Sequence, residues 1–226
     1  MDIISFARAI TKLRDRISEY SLEIVVDQDQ HNYASYIQHT EEAPGEHFGV
    51  SFNTITPENL SCVYLREKIA TGQYKTVGTC VARLDNLGEW SLSDYWKVHM
   101  QRIFTHEDGG RPELKDKQPG FARKRPGRVI YMGAMWIDKE WRGHGLAQDL
   151  AHLAMMINWL TWKPNLIYAF MTDDHVSRGL ASKFEWGMIK PMGIRWERRA
   201  TEFPHDLWYV ANDQEDVEDL AYRHAQ

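Results

Sequence analysis

Only two cysteines occur in 226 residues, and Cys62 and Cys80 lack metal-ligand spacing. That excludes a disulfide framework and a cysteine-rich metal site; a single disulfide is geometrically possible, but the pair reads rather as two reduced, strand-buried thiols. Long apolar runs are missing too. No stretch approaches the roughly 20 residues that cross a bilayer, so no membrane partner is expected. Nor is there an excess of positive charge. The formal net charge is −5, whereas a general nucleic-acid binder needs a positive field to meet phosphates, so nucleic acid is not expected as a partner either. The first residues, Met1 to Arg8, show no basic stretch followed by an apolar core and a small-residue cleavage site, which leads to the expectation of a cytoplasmic setting. Internal repeats and low-complexity segments are absent.

What is present is an ordinary globular composition, 43% hydrophobic and 26% charged, in a length that suits one domain over 1–226. Ile3, Phe6, Ala7, Ile10, Leu13, Arg14 and Ile17 follow the period of an amphipathic helix. With the polar stretch holding Tyr33, Tyr36 and Ile37, they suggest an N-terminal helical extension over about residues 1–45. Phe48–Phe52, 61–65 and 76–84 read as strands, the last two joined through Gly72. Residues 86–128 then interrupt the pattern as an insertion, with an aromatic helix-like piece from Trp90 to Phe104 and a stretch rich in Gly, Pro and charge. Trp90, Tyr95, Trp96 and Phe104 either pack a helix on the sheet or wall an acceptor pocket.

Val129–Ile137 is apolar enough for a central strand buried on both faces. The helix expected over Gly145–Leu160 has Leu146, Leu150, Leu153, Ala154, Ile157 and Leu160 on one stripe. A strand over Leu166–Met171, a helix over Val176–Trp186 and strands over Met188–Trp196 and Leu207–Val210 complete a mixed α/β (α+β) sheet. Two charge runs stand out: Arg123, Lys124, Arg125 and Arg128, and an acidic tail of Asp213, Glu215, Asp216, Glu218 and Asp219. Both read as solvated surface.

The chemistry concentrates between the central strand and its helix, in Asp138-Lys139-Glu140-Trp141-Arg142-Gly143-His144-Gly145-Leu146-Ala147. Glycine lets the backbone approach a ligand, and the free N–H groups that open a helix attract anions. The turn lacks the third glycine of a dinucleotide fingerprint and the Gly-Lys-Ser/Thr of a P-loop, so a different phosphate binder is required.

Here the sequence resembles the GNAT superfamily of acyl-CoA N-acyltransferases, whose pyrophosphate loop has the form Arg/Gln-x-x-Gly-x-Gly/Ala. Arg142, Gly145 and Ala147 fill it. Met135-Trp136-Ile137 matches the family's apolar strand end, and the segment from Ile167 to Met188 its next strand and helix. Residues 48–210 can be laid on the fold, with the specific match confined to 129–188.

The resemblance implies a GNAT-like sheet that splays between 129–137 and 166–171, with acetyl-CoA or another acyl-CoA as co-substrate and no metal. Pantetheine would pair with the backbone of Met135 and Ile137. The N–H groups of Gly143, His144, Gly145, Leu146 and Ala147 would hold the pyrophosphate, and a backbone N–H near Met135 or Trp136 would meet the oxyanion. The acceptor would be a small-molecule or protein amine. Many members place an acidic tyrosine where this chain has Lys183. Lys183 is read instead as a cation near the cofactor's phosphates, leaving Ser182, Ser177 or water as proton donor. Asp173 and His175 are the candidate bases, beside Asp174, for which helix N-capping is the plain alternative. Tyr131 and Tyr168 are further candidates on the splayed strands. Two other readings stay open: a long-chain acyltransferase that docks an acyl carrier protein through Arg123, Lys124 and Arg125, and an acyl-CoA-binding module without turnover. A homodimer is also allowed.

Overall fold

The computed structural model describes residues 2–29, 31–33, 46–49, 53–203 and 206–226. Tyr36, Ile37 and the expected strand residues 50–52 lie outside the described residues. Phe48 closes a short 3₁₀ turn, Glu46–Phe48, and is not in a strand.

Seven strands form one sheet in the order β1-β2-β3-β5-β6-β9-β7. These are β1 (Leu22–Asp27), β2 (Leu60–Ala70), β3 (Gln73–Asn86), β5 (Arg128–Ile137), β6 (Leu166–Met171), β7 (Met188–Lys190) and β9 (Trp208–Asn212). A two-residue ribbon, β4 (Glu113–Leu114) with β8 (Trp196–Arg198), stands apart from it. The segment expected as one strand over Met188–Trp196 is therefore split between two sheets. Gly193 lies so close to the backbone of Tyr209 that a side chain there would clash.

Every neighbouring pair in the large sheet is antiparallel except β5 and β6, which are parallel and joined by a crossover helix. Alternation along the strands sends residues to two cores. Val63, Cys80, Ile130, Met132, Ile167 and Val210 meet α1 (Ile3–Ser18), α3 (Leu146–Trp162) and α6 (Gln214–Ala225) on one face. Cys62, Val81, Val129, Tyr131, Tyr168 and Tyr209 meet α2 (Leu92–Ile103) on the other. The two cysteines are free and buried as expected. They belong to opposite cores, which is why adjacent strands carry them without a bridge.

α1 contributes Phe6, Ala9, Leu13 and Ile17 to the core and packs on α3 and α6, while β1 edges the sheet, so the described part of the expected extension is integral to the fold. The 86–128 segment supplies α2, opened by a capping box between Ser91 and Asp94, and thereby brings Leu92, Trp96, Met100 and Ile103 into the second core. Trp96 and Phe104 are core; Trp90 is 47% exposed. The acidic tail also departs from plain solvated surface. Asp213 caps α6 together with Asp216, and Glu215 and Asp216 sit in its first turn, where they complement the helix dipole. Val217, Leu220 and Ala221 are its buried stripe. No helix among the described residues is long and apolar enough to cross a membrane.

Candidate active site

β5 and β6 pair only over Val129↔Leu166, Ile130↔Ile167 and Tyr131↔Tyr168. Past these residues both strands continue, each still held by its other neighbour. β5 stays on β3 as far as Ile137↔Gly78, and β6 stays on β9 as far as Met171↔Trp208. The sheet thus opens into a gap whose two walls, Met132–Ile137 and Ala169–Met171, show backbone edges to each other without a ladder.

A bulge shapes the longer wall. Gly133 pairs with Val81 and Trp136 with Thr79, so β5 spends one residue more than β3 over this stretch. Ala134 adopts φ 46°, and its carbonyl accepts a 2.8 Å hydrogen bond from Thr79 Oγ1. Bulges bend and twist a strand and re-aim its groups. Met135 and Trp136, expected from sequence to meet the cofactor, sit on the bulged segment and are half-buried.

At the end of β5 the chain turns through a 3₁₀ turn, Lys139–Trp141, capped by the Asp138 carboxylate. Asp138 also pairs with Lys75 at 3.0 Å, pinning the turn to β3. Arg142 folds back so that its Nε donates to Ile137 O at 3.0 Å. Its terminal guanidinium nitrogens make no other bond among the described residues, and the side chain is exposed. Gly143 (φ +88°) and Gly145 (φ +79°) are both left-handed, and a Cβ at either would touch nothing within 4 Å. The glycines are therefore required by backbone conformation and not by crowding.

Gly145 caps α3 without a side-chain bond. The N–H groups of Gly143, His144, Gly145, Leu146 and Ala147 have no hydrogen-bond partner among the described residues. Five such donors at a helix N-terminus make an anion cradle. His144 is exposed. Its ring lies 5.4 Å from that of Tyr20, and Tyr20 Oη donates to His144 O at 3.3 Å, bracing the loop from the end of α1.

The candidates after β6 sit at the same end of the sheet as this loop, because β5 and β6 are parallel. The expected single helix is two short ones, α4 (Asp173–Ser177) and α5 (Leu180–Lys183), broken where Gly179 takes φ +77°. Thr172 is the N-cap of α4, its hydroxyl accepting from His175 N, so Asp174 does not cap it. Asp174 pairs with Arg178 at 3.0 Å instead. Asp173 accepts a 3.0 Å bond from the indole N–H of Trp208, the residue that ends the β6–β9 ladder. His175, Ser182 and Lys183 are exposed, and none of their side chains makes a hydrogen bond among the described residues. Ser177 is tied to Asp174 O at 3.0 Å.

Tyr131 and Tyr168 are the last paired residues before the gap, with rings 5.4 Å apart. Burial raises the pKa of both hydroxyls above the ordinary tyrosine value, so both stay protonated at neutral pH and are weaker acids than an exposed tyrosine.

Beneath Tyr131 lies a polar network that sequence reasoning missed. Arg83, 1% exposed, holds Asp85 through Nε and Nη2 at 2.9 Å each. Its Nη2 also donates to Tyr95 Oη at 2.8 Å, and Nη1 donates to His47 O. His99 Nε2 lies 3.3 Å from Arg83 Nη2 and 3.1 Å from His47 Nδ1. The His47 ring packs 4.3 Å from that of Tyr131. Burial first, and then Arg83, push both histidines toward the neutral form. The one signal in the sequence was an arginine at an inward position of an otherwise apolar strand.

Comparison with known proteins finds only distant likenesses among solved structures. No family model matches the sequence, and no curated protein matches it. Among solved structures, Arabidopsis thaliana NAA60 in complex with acetyl-CoA is similar at 10% identity over 84% of this chain and 99% of that one, with a TM-score of 0.46. Aminoglycoside acetyltransferase AAC(6')-Ib in complex with coenzyme A and kanamycin is similar at 9% identity over 87% and 98%, with a TM-score of 0.46. Likenesses this distant transfer no residue and no activity to this chain. Its own topology does give the expected architecture, a mixed α/β sheet flanked by helices and open between two parallel strands.

Proposed function

We propose that the chain is a GNAT-type N-acyltransferase that moves an acetyl or other acyl group directly from acyl-CoA to a primary amine. One observation carries this reading: the gap between β5 and β6 and the five N–H groups of Gly143–Ala147, unpartnered among the described residues, stand at the same end of two parallel strands. A ligand with a diphosphate at one end and an amide-bearing arm at the other suits both features at once.

The loop N–H groups and the free end of Arg142 would bind the pyrophosphate, and the open edge Met132–Ile137 would hydrogen-bond the pantetheine amides. Bound acyl-CoA supplies the activated thioester. The bulge at Ala134 supports an oxyanion role for a backbone N–H near Met135 or Trp136, since it re-aims those groups on the wall of the gap.

The acceptor must lose a proton first. At pH 7 an alkyl amine with a pKa near 10.4 needs about 5 kcal/mol to reach its neutral form. Asp173, oriented by the Trp208 indole, and His175 stand at the end of β6 as bases acting directly or through water. Ser182, Tyr131 and Tyr168 are the hydroxyls that could protonate the departing thiolate.

The basic residues Arg123, Lys124 and Arg125 precede β5, at its opposite end from the loop. Ten residues of extended strand, on the order of 30 Å, separate the two. An acyl carrier protein docked there would stand far from the pantetheine entrance, which favours free acyl-CoA as the donor. Thiol release from acetyl-CoA, followed across a panel of primary amines, tests the reaction. Amine-dependent release is expected, with little background from Cys62 and Cys80, both buried. Tight binding without release under any amine would leave an acyl-CoA-binding module.

A further inference from the structure

On the helical face, away from the gap, three side chains that ligate transition metals converge. His152 comes from the middle of α3, His224 from the last turn of α6, and Glu185 from the turn after α5. One ligating atom of each lies within 4.8 Å of the other two. His152 is 0% exposed. Its Nδ1 is 2.8 Å from His224 Nε2, and its Nε2 lies 3.9 Å from Glu185 Oε1 with no hydrogen bond of good geometry among the described residues, the Phe184 backbone lying beside the ring. A buried ring nitrogen left unsatisfied is costly and calls for an explanation.

The backbone of Glu185 points the same way. After α5 the chain makes a Schellman turn, with Trp186 N donating to Ala181 O at 3.2 Å and Glu185 N to Ser182 O at 3.0 Å. Glu185 occupies its left-handed position at φ 52°, a place that ordinarily takes glycine because a Cβ there is strained. Arg223 Nε donates to Glu185 Oε2 at 2.9 Å, which leaves Oε1 for the His152 side, and Asn212 Nδ2 fixes the turn by donating to Glu185 O at 3.2 Å. The other nearby cation, Arg16, is neutralised by Asp149 on α3.

We propose that His152, His224 and Glu185 form a binding site for a divalent transition-metal ion of the zinc class, tying α6 to α3 and to the turn after α5. Zinc takes imidazole nitrogen and carboxylate oxygen at about 2.0–2.2 Å, so its ligands in a tetrahedral shell lie roughly 3.3–3.5 Å apart. One ion takes a single ring nitrogen of His152; with one atom from each residue the three lie within 4.8 Å of one another, and side-chain rotations that shorten these separations complete the set, with water as the fourth ligand. The site is structural, since none of the three residues borders the gap or the loop.

The test uses the full chain, stripped with chelator, dialysed and titrated with Zn²⁺ by calorimetry. One ion per chain is expected, and at free zinc one hundred times Kd the Tm should rise by about 5–10 °C. Co²⁺ in place of Zn²⁺ should give the visible absorption of a four-coordinate ion. His224→Ala and the near-isosteric Glu185→Gln should each weaken zinc binding at least about tenfold and cut the Tm rise at that zinc concentration by about half or more. The absence of saturable zinc binding to the wild type, or undiminished binding in either variant, would overturn the proposal.

Discussion

Lowering the pH should strike the histidine pair beneath the gap before it strikes the cofactor loop. His47 and His99 share a 3.1 Å contact between ring nitrogens. Arg83 stands 3.3 Å from His99 Nε2, Arg102 Nη2 lies 3.3 Å from His99 Nδ1, and Tyr95 Oη completes the ring of neighbours at 3.4 Å. The Asp85 carboxylate is engaged by Arg83. Protonating either imidazole would add a second cation to a dry site that already holds a guanidinium.

Folding thus lowers both histidines below the unfolded value of 6.5, and the unfolded chain binds more protons in acid. Stability from this pair is fully present above about pH 6.5 and declines as the pH falls, by about 1.4 kcal/mol per pH unit for each histidine once well below that value. Between pH 8 and pH 5 the pair should cost about 4 kcal/mol, a large share of the 5–15 kcal/mol typical of a domain.

Urea denaturation followed by tryptophan fluorescence at intervals of pH reads this directly. Other groups titrate in the same window, so the decisive quantity is the difference between the wild type and a His47→Gln, His99→Gln double variant, which keeps polar partners but cannot take the protons. The wild type should lose stability more steeply below pH 6.5, by up to about 2.7 kcal/mol per pH unit. Parallel stability–pH curves for the two proteins would refute the buried, neutral assignment.

Two further outcomes concern the chemistry. Lys183→Ala should weaken cofactor binding modestly and in a salt-dependent way with turnover little changed, whereas Ser182→Ala should lower kcat if that hydroxyl or its water protonates the thiolate; steady-state kinetics at two ionic strengths separate them, and a large kcat loss confined to Lys183→Ala would mean the acid is misplaced. Exhaustive EDTA treatment should leave turnover intact at temperatures well below Tm, because the proposed oxyanion contacts are backbone dipoles. Activity lost with EDTA and restored by zinc would contradict that.

Much of this fold could be read from periodicity. The stripe of α1, the doubly buried run of β5 and the bounds of β6 follow from which faces are covered, and covered faces leave a pattern in sequence. The glycine turn proposed to hold the pyrophosphate was legible because Gly143 and Gly145 are demanded by left-handed backbone, a local requirement. Features set by distant partners were not. The bulge at Ala134 lies inside a strand apolar throughout, with only Gly133 beside it as a hint. His47 and His99 meet across 52 residues of chain, and β8 leaves the main sheet to pair with a strand from the insertion. Gly179 did signal the break between α4 and α5, but the amphipathic run on either side concealed it. In α6 the acidic residues drew attention from Val217, Leu220 and Ala221, whose spacing marks a buried helical stripe.

Binding of acetyl-CoA to the wild type and to Gly145→Glu, measured by calorimetry, tests the central claim most directly. A Cβ at Gly145 meets nothing within 4 Å, but φ +79° strains any side chain placed there, so circular dichroism must verify that the variant is folded. It places a carboxylate at the helix N-terminus where the pyrophosphate is expected. Two unit charges about 4 Å apart at an effective dielectric constant near 20 repel by about 4 kcal/mol, which corresponds to about a thousandfold in affinity. The account predicts one site per wild-type chain and its loss in the variant; unchanged affinity in a folded Gly145→Glu protein would contradict it.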